Sequence, residues 1–249
     1  MTAQDKYWVY LSDKNGVHFD PFDYFDNKTI EKRRSIGYPL DHYSDRPIRN
    51  DYISSIKKIA DTITGHSRWF NALACIINKE NLQIIKDLPF VSKIAPMNSV
   101  QQFCESNFKL DKGEQSLLSG QTSWMQGSLF KENNITGKGV RICIIDAGFP
   151  KVDIADEFAH IRDSGRIIKT WDFHKNTPSV YKHSSHGTIV LSCIAGIYNG
   201  QPMGLATDSE FLLARTERIH SESFSEEEDW LMAVEWADKN GADIINSSL

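Results

Sequence analysis

The first hundred residues alternate short apolar runs with polar stretches. Residues 7–12 form a β-prone run that ends at the turn signal of residues 13–16. Ile53, Ile56 and Ile59 follow the spacing of one helical face, which predicts a helix over residues 50–61. The other predicted elements are short and bounded by polar residues: a strand near 62–66, a β-prone run at 69–77, a helix over 79–86 and a strand over 90–95. This order is typical of a small α+β domain with helices on one face of a sheet.

Two stretches show no sustained hydrophobic period. In residues 13–50, the prolines Pro21, Pro39 and Pro47 argue against long regular elements. Residues 97–136 combine Ser, Gln, Gly and charged residues. This composition predicts a linker that leads into an irregular, partly helical entry to a second domain.

From Gly137 onward, the pattern becomes that of an α/β domain. Residues 140–145 are almost continuously apolar, as expected for a strand buried on both faces of a parallel sheet. Strands and helices then alternate: a strand at 167–171, an apolar helix over 188–197, a strand over 210–215, a helix to about Lys239 and a strand from Asp243. A capping box of Ser225 and Glu228 predicts where the last helix begins.

Composition and charge narrow the classes of function. Of the 249 residues, 40% are hydrophobic and 24% are charged, which is enough apolar material to build real cores. Lys and Arg number 28 against 33 Asp and Glu, so the net charge is −5. A mildly acidic chain without a basic block gives no reason to expect a nucleic acid or an anionic membrane as partner. Its apolar runs are too short to span a bilayer, and residues 1–6 lack the features of a signal peptide.

Four cysteines are spread along the chain without a Cys-x-x-Cys pair, so neither a zinc ribbon nor a redox motif is predicted. Cys143 and Cys193 lie in apolar runs and are interpreted as small buried residues.

Two residues stand where α/β enzymes place functional groups. Asp146 follows the apolar strand and precedes Ala147 and Gly148, although a helix cap or turn Asp would show the same pattern. His186 stands at the start of an apolar helix, where a loop histidine is the alternative. His183 and His186 could also share a metal ion, but they precede the helix and no Glu lies between them, which disfavours a metal site.

In combination, these features resemble the subtilisin-like serine peptidases. Residues 137–148, with Asp146 near their end, resemble that family's aspartate motif, and residues 183–190 resemble its His-Gly-Thr motif. Residues 204–211 are similar to its turn into a strand, and residues 230–249 are similar to its helix-then-strand segment. The four blocks occur in the family's order, and Asp before His agrees with the Asp, His, Ser order that one class of triad uses.

The resemblance covers roughly residues 120–249 and shows two mild departures. Ala147 stands where the family usually has Ser or Thr, and Thr207 stands where Pro is common. Neither position carries a proton-transfer group.

The resemblance implies an α/β fold, with a subtilisin-like parallel sheet and helices on both faces, whose carboxyl-terminal half is absent. A small α+β, ferredoxin-like propeptide domain would precede it. The implied domains are a propeptide over residues 1–100, a linker with the processing site over 101–120 and the first half of the peptidase domain over 121–249. The propeptide is expected to pack on its own catalytic domain.

The resemblance also implies roles for the candidate residues. Asp146 would accept the Nδ1 proton of His186, and His186 would act as general base toward a serine. Ser248 and Leu249 would border the substrate peptide. No cofactor is required; calcium is a frequent structural ion in the family, but residues 197–204 carry no carboxylate and no site is assigned. Family membership implies a secreted or periplasmic protein, whose leader is absent from this chain.

One member of the implied triad is not found. The family carries its nucleophile in a Gly-Thr-Ser motif, and no such motif follows His186; Ser247 and Ser248 lack the preceding Gly-Thr. We therefore expect a zymogen fragment that is inactive alone. Two alternatives remain: an inactive truncated product whose propeptide domain inhibits a related peptidase, and a degenerate gene product without activity.

Overall fold

The computed structural model describes residues 5–97, 122–217 and 225–248. The described residues form two compact units. The first unit contains residues 5–97 together with residues 225–241, and the second contains residues 122–217 and 242–248. The predicted linker at 101–120, and the processing site within it, lie outside the described residues.

Among the described residues, nine labelled elements belong to the first unit, eight of them before residue 97 and one later in the chain, and a 3₁₀ turn at Tyr43–Asp45 lies among the eight. They are β1 (Asp5–Leu11), α1 (Pro21–Tyr24), α2 (Asn27–Ser35), α3 (Asn50–Lys57), β2 (Thr62–Ser67), β3 (Ala72–Ile77), α4 (Lys79–Lys86) and β4 (Val91–Pro96), with the later helix 225–239 as the ninth.

The second unit continues the numbering, with a 3₁₀ turn at Asp156–Phe158. Its elements are α5 (Gly127–Glu132), β5 (Arg141–Asp146), α6 (Ala159–Arg162), β6 (Ile167–Asp172), α7 (His186–Ala195), β7 (Ile197–Tyr198), β8 (Gln201–Pro202) and β9 (Glu210–Arg215). The last two elements of the chain are α8 (Ser225–Lys239), which belongs to the first unit, and β10 (Ile244–Ser247), which belongs to the second.

An antiparallel sheet with the strand order β2-β3-β1-β4 forms the first unit. Alternate residues of β1 point into its core, because successive side chains of a strand face opposite sides. Ile56 of α3 and Ile85 of α4 are fully buried in the same core. Burying a side chain of that size contributes about 1.5–3 kcal/mol.

The structure confirms most of the elements predicted in this unit and corrects three. The helix predicted over 50–61 ends at Lys57, and the run at 69–77 forms a strand only from Ala72. The third correction is α2, which lies in the stretch where prolines argued against long elements. Its side chains pack through Thr29, Ile30 and Arg33, a mixture without a recognisable apolar stripe.

A parallel sheet with the strand order β10-β5-β9-β6 forms the second unit. All six residues of β5 are buried, as the continuous apolar run predicted. Ile142 and Ile144 of β5, Phe211 and Leu213 of β9, and Leu191 of α7 belong to one apolar cluster. The parallel register brings the carboxyl ends of β5, β9 and β6 to one edge of the sheet.

Helix α8 packs against β2 and contributes buried acidic side chains to the first unit. The helix begins at Ser225, where the capping box predicted its start. The carboxylate of Glu228 forms an ion pair with Lys6 and accepts a hydrogen bond from the Thr64 hydroxyl (3.1 Å), so it is engaged with the sheet.

Candidate active site

Asp146 is the last residue of β5 and is fully buried. One carboxylate oxygen, Oδ1, accepts a hydrogen bond from the backbone N–H of Ala147 at 2.7 Å. Burial raises the pKa of Asp146 above its ordinary value, while the Ala147 N–H and His186 oppose that rise. The strand therefore ends on a carboxylate that protein groups, rather than solvent, must stabilise.

His186 is the first residue of α7, and its ring faces that carboxylate. Its Nδ1 atom lies 3.0 Å from both Oδ1 and Oδ2 of Asp146. A carboxylate accepts hydrogen bonds, so a neutral ring in this geometry carries its proton on Nδ1 and leaves the lone pair on Nε2. The His186 side chain is 39% exposed, against none for Asp146. The pair thus has the form of a general base oriented by a buried acid.

Two glycines allow the close approach of α7 to the end of β5. A Cβ atom on Gly187 would lie 2.5 Å from the Gly148 carbonyl oxygen and 2.9 Å from the Asp146 Cβ. Gly148 has a φ of +147°, a conformation that L side chains rarely adopt. The sequence Asp-Ala-Gly followed later by His-Gly therefore has a steric role: it places His186 within hydrogen-bond distance of Asp146.

The structure does not join His183 and His186 at a common centre. The Nε2 atom of His183 lies 3.9 Å from Oδ2 of Asp172. The backbone of His183 forms an isolated antiparallel β-bridge with Gly148. Within the residues that the structure describes, no three His, Cys, Asp or Glu side chains are grouped so as to hold a metal ion.

Ser248 follows β10, which pairs with β5. Its backbone N–H lies 3.3 Å from the carbonyl oxygen of Ile145, and its hydroxyl accepts from the side-chain amide of Asn246 at 2.8 Å. Leu249 lies outside the described residues. Among described residues, no serine hydroxyl hydrogen-bonds to Nε2 of His186.

Two charged residues at this edge of the sheet were missed by the sequence analysis. Arg215 ends β9 and Asp172 ends β6; they are 3% and 1% exposed and form an ion pair of 2.8 Å. The available signal was the position of each at the carboxyl end of a predicted strand, the same signal that selected Asp146.

Family models match both parts of the chain. A model described as the peptidase S8 propeptide domain of Bacteroidota matches residues 6–112, and a model of the subtilase family matches residues 137–249. Curated relatives include subtilisin E of Bacillus subtilis (strain 168), 21% identical over 184 residues, which amount to 73% of this chain and 42% of the relative. Subtilisin J of Geobacillus stearothermophilus matches at the same identity and coverage over 183 residues. The chain therefore spans less than half the length of these relatives.

Solved structures show the same fold. The epidermin leader peptide processing serine protease of Staphylococcus aureus, as its S393A mutant, superposes with a TM-score of 0.56 at 14% identity. That superposition covers 98% of this chain and 50% of the other. Fervidolysin of Fervidobacterium pennivorans superposes with a TM-score of 0.53 at 13% identity, over 98% of this chain and 35% of the other.

Proposed function

Because a subtilase-family model matches residues 137–249 and an S8 propeptide model matches residues 6–112, we propose that the chain belongs to the subtilase family and is the amino-terminal part of a serine endopeptidase precursor. Asp146 and His186 are two members of its catalytic triad. The observation that carries this proposal is the placement of His186 Nδ1 at 3.0 Å from both oxygens of a fully buried carboxylate. The proposed substrate is a peptide or protein.

The reaction follows from the proton positions of this pair. With its proton on Nδ1, His186 holds a lone pair on Nε2 and can take the proton of a serine hydroxyl as that hydroxyl attacks a peptide carbonyl. The ring then becomes a cation, and the negative charge of Asp146 stabilises it at short range. The same Nε2–H next donates its proton to the leaving amine. These steps require no cofactor.

We place the nucleophile in sequence beyond residue 249, in a Gly-Thr-Ser motif of a longer protein, so this chain is a zymogen fragment. Support comes from the absence of that motif after His186 and from the share of the relatives that the chain covers. Ser248 and Leu249 remain proposed borders of the substrate cleft. The proposed location is secreted or periplasmic; in the described parts of the chain, no helix combines the length and apolarity that crossing a membrane requires.

The proposed partner of the propeptide is the peptidase segment of the same chain. Helix α8 lies within the part matched by the subtilase model, yet it packs on the sheet of the part matched by the propeptide model. Glu235 of α8 accepts hydrogen bonds from the Ser67 hydroxyl (2.5 Å) and from the Arg68 and Trp69 N–H groups (3.1 and 3.3 Å). A carboxylate of the helix thereby binds the turn that joins β2 to β3.

A second set of contacts holds the carboxyl end of α8. Arg33 is buried between Asp45 (2.6 Å) and Asp238 of the helix (2.9 Å). The single proton of the Thr29 hydroxyl is shared between the carbonyl oxygens of Asp238 (3.0 Å) and Lys239 (3.1 Å), and the backbone N–H of Asp26 also donates to the Lys239 carbonyl (3.0 Å). The propeptide helix α2 therefore caps the end of α8.

The experiment uses the complete reading frame. The coding DNA is read past the codon of Leu249, the whole protein is expressed, and hydrolysis of a fluorogenic peptide or of casein is measured. Asp146→Asn and His186→Gln should each lower kcat by about 10⁴-fold. His66→Gln, at an exposed position of β2, should leave activity unchanged. A stop codon directly after Leu249, or full activity in His186→Gln, would refute the proposal.

A further inference from the structure

Three charged residues lie side by side at the carboxyl edge of the parallel sheet. In the strand register, Arg215 is opposite Asp146 on one side and opposite Asp172 on the other. Residues in register on neighbouring parallel strands project to the same face of a sheet. The row therefore reads acid, guanidinium, acid, and all three residues are at most 3% exposed.

The guanidinium of Arg215 makes two directed contacts. Its Nη1 atom lies 2.8 Å from Oδ2 of Asp172, and its Nε–H donates to the carbonyl oxygen of Ala147 at 3.1 Å. Asp172 is itself oriented, because its Oδ1 accepts from the backbone N–H of Lys175 at 2.8 Å. Asp172 thus fixes the guanidinium on one side, and the guanidinium in turn holds the Ala147 carbonyl on the other.

The backbone N–H and carbonyl groups of Ala147 link this arrangement to Asp146. Its N–H donates to Oδ1 of Asp146, while its carbonyl oxygen accepts from Arg215. The backbone N–H of Thr216 adds a bond of 3.2 Å to the carbonyl oxygen of Asp146. The turn that carries the catalytic acid is therefore held at both ends by the residues that close β9.

Net stability does not explain a buried ion pair at this place. Taking two charges out of water costs about as much as their attraction returns, so apolar residues of similar volume would often be equally stable. A guanidinium differs from an apolar side chain in presenting several donors in a rigid plane. The distinctive effect of Arg215 is consequently directional.

We propose that Arg215 is a positioning residue for the Asp146–His186 pair. It acts through the Ala147 carbonyl and is itself anchored by Asp172. This inference rests on the proposed function, since it treats that pair as catalytic. Its test does not require a nucleophile, because it observes the His186 ring and not the reaction.

The test uses chain 1–249 with ¹⁵N-labelled histidine and follows the Nδ1–H proton of His186 by NMR. Arg215→Met removes both contacts. Arg215→Lys keeps the positive charge beside Asp172 but puts a methylene where Nε–H stood, so the Ala147 carbonyl loses its donor. We expect exchange of the His186 Nδ1–H with water to accelerate about tenfold in both variants. Arg215→Met should lower the Tm more than Arg215→Lys does.

The matched control is Arg166→Lys. Arg166 precedes β6, at the opposite edge of the sheet, and also donates to backbone carbonyls, those of His160 and Thr207. The Arg166→Lys variant should leave the exchange rate of the His186 Nδ1–H unchanged. Wild-type exchange at His186 in folded Arg215→Lys would overturn the proposal, because charge alone would then be sufficient.

A milder variant covers the case in which Arg215→Met fails to fold. Asp172→Asn keeps the shape and one acceptor oxygen but removes the charge that anchors the guanidinium. Exchange at His186 should accelerate, by less than in Arg215→Lys; an unchanged rate would count against the role of Asp172. If these results appear while the complete protein shows no hydrolysis, the positioning stands and the proposed peptidase activity fails.

Discussion

Glu235 offers a direct test of how the propeptide sheet binds helix α8. Glu235 is a buried residue, 8% exposed, and its carboxylate accepts three hydrogen bonds from the β2–β3 turn. The perturbation is Glu235→Ala, with Glu235→Gln as the isosteric neutral variant. Glu227→Ala, an exposed residue of the same helix, is the matched control.

The magnitude follows from the burial of the three donors. The Ser67 hydroxyl is fully buried and loses a bond to a charged acceptor, a loss of about 1.5–3 kcal/mol. The N–H groups of Arg68 and Trp69 belong to more exposed residues, and water can replace part of what they lose. We therefore expect Glu235→Ala to lower the free energy of local unfolding by about 3 kcal/mol and Glu235→Gln to lower it by about half of that.

Hydrogen exchange of the full chain, read by mass spectrometry, measures this change locally. A loss of about 3 kcal/mol corresponds to roughly 10²-fold faster exchange in peptides that cover residues 62–77. Peptides from β5 and β9 in the second unit serve as internal references. If Glu235→Ala changes exchange at 62–77 no more than Glu227→Ala does, the carboxylate of Glu235 does not hold the turn.

Three further predictions concern Asp146, Gly187 and Lys14. Burial raises the pKa of Asp146, so the native state keeps this proton to higher pH than the unfolded chain does. The free energy of unfolding therefore falls as the pH rises from about 3.8 through the raised pKa. Asp146→Asn should consequently increase Tm at pH 7 in a calorimetric scan. Gly187→Ala places a Cβ 2.8 Å from the Phe149 ring and should cost about 1–3 kcal/mol in urea unfolding while weakening the His186 Nδ1–H signal. Burial lowers the pKa of Lys14 to about 8, so the native state releases this proton before the unfolded chain does near 10.5; the free energy of unfolding should rise between pH 8 and 10.5 more steeply in the wild type than in Lys14→Met.

The local sequence pattern was sufficient to predict an element where an unbroken apolar run by itself indicates a buried strand. The run at 140–145 is apolar at every position but Arg141, so β5, its burial and the acid at its end could be predicted together. The bounds of β9 and α4 follow their predicted ranges, because polar residues mark both ends of each.

Contacts between distant residues explain what the pattern missed. Helix α2 is held by Arg33, whose partners Asp45 and Asp238 lie 12 and 205 residues away. Glu228 has the spacing of a capping residue, and its contacts with the ammonium of Lys6 and the hydroxyl of Thr64 lie far away along the chain. Such pairings leave no periodic signal in either segment.

The candidate site divides in the same way. Asp146 and His186 stand in recognisable motifs, so the sequence analysis identified both. Arg215 and Asp172 become a pair only through the register of two strands that are 43 residues apart along the chain. A charged residue at the end of an apolar strand was the signal that could have selected them.

We infer that His186, oriented by Asp146, activates a serine of the complete protein. The most direct measurement is covalent labelling of that protein, expressed from the whole reading frame, with a fluorophosphonate probe, followed by identification of the labelled residue by mass spectrometry. We expect a single labelled serine beyond Leu249 and loss of labelling in His186→Gln. Labelling that persists in His186→Gln, or a folded complete protein that takes up no label, would contradict it.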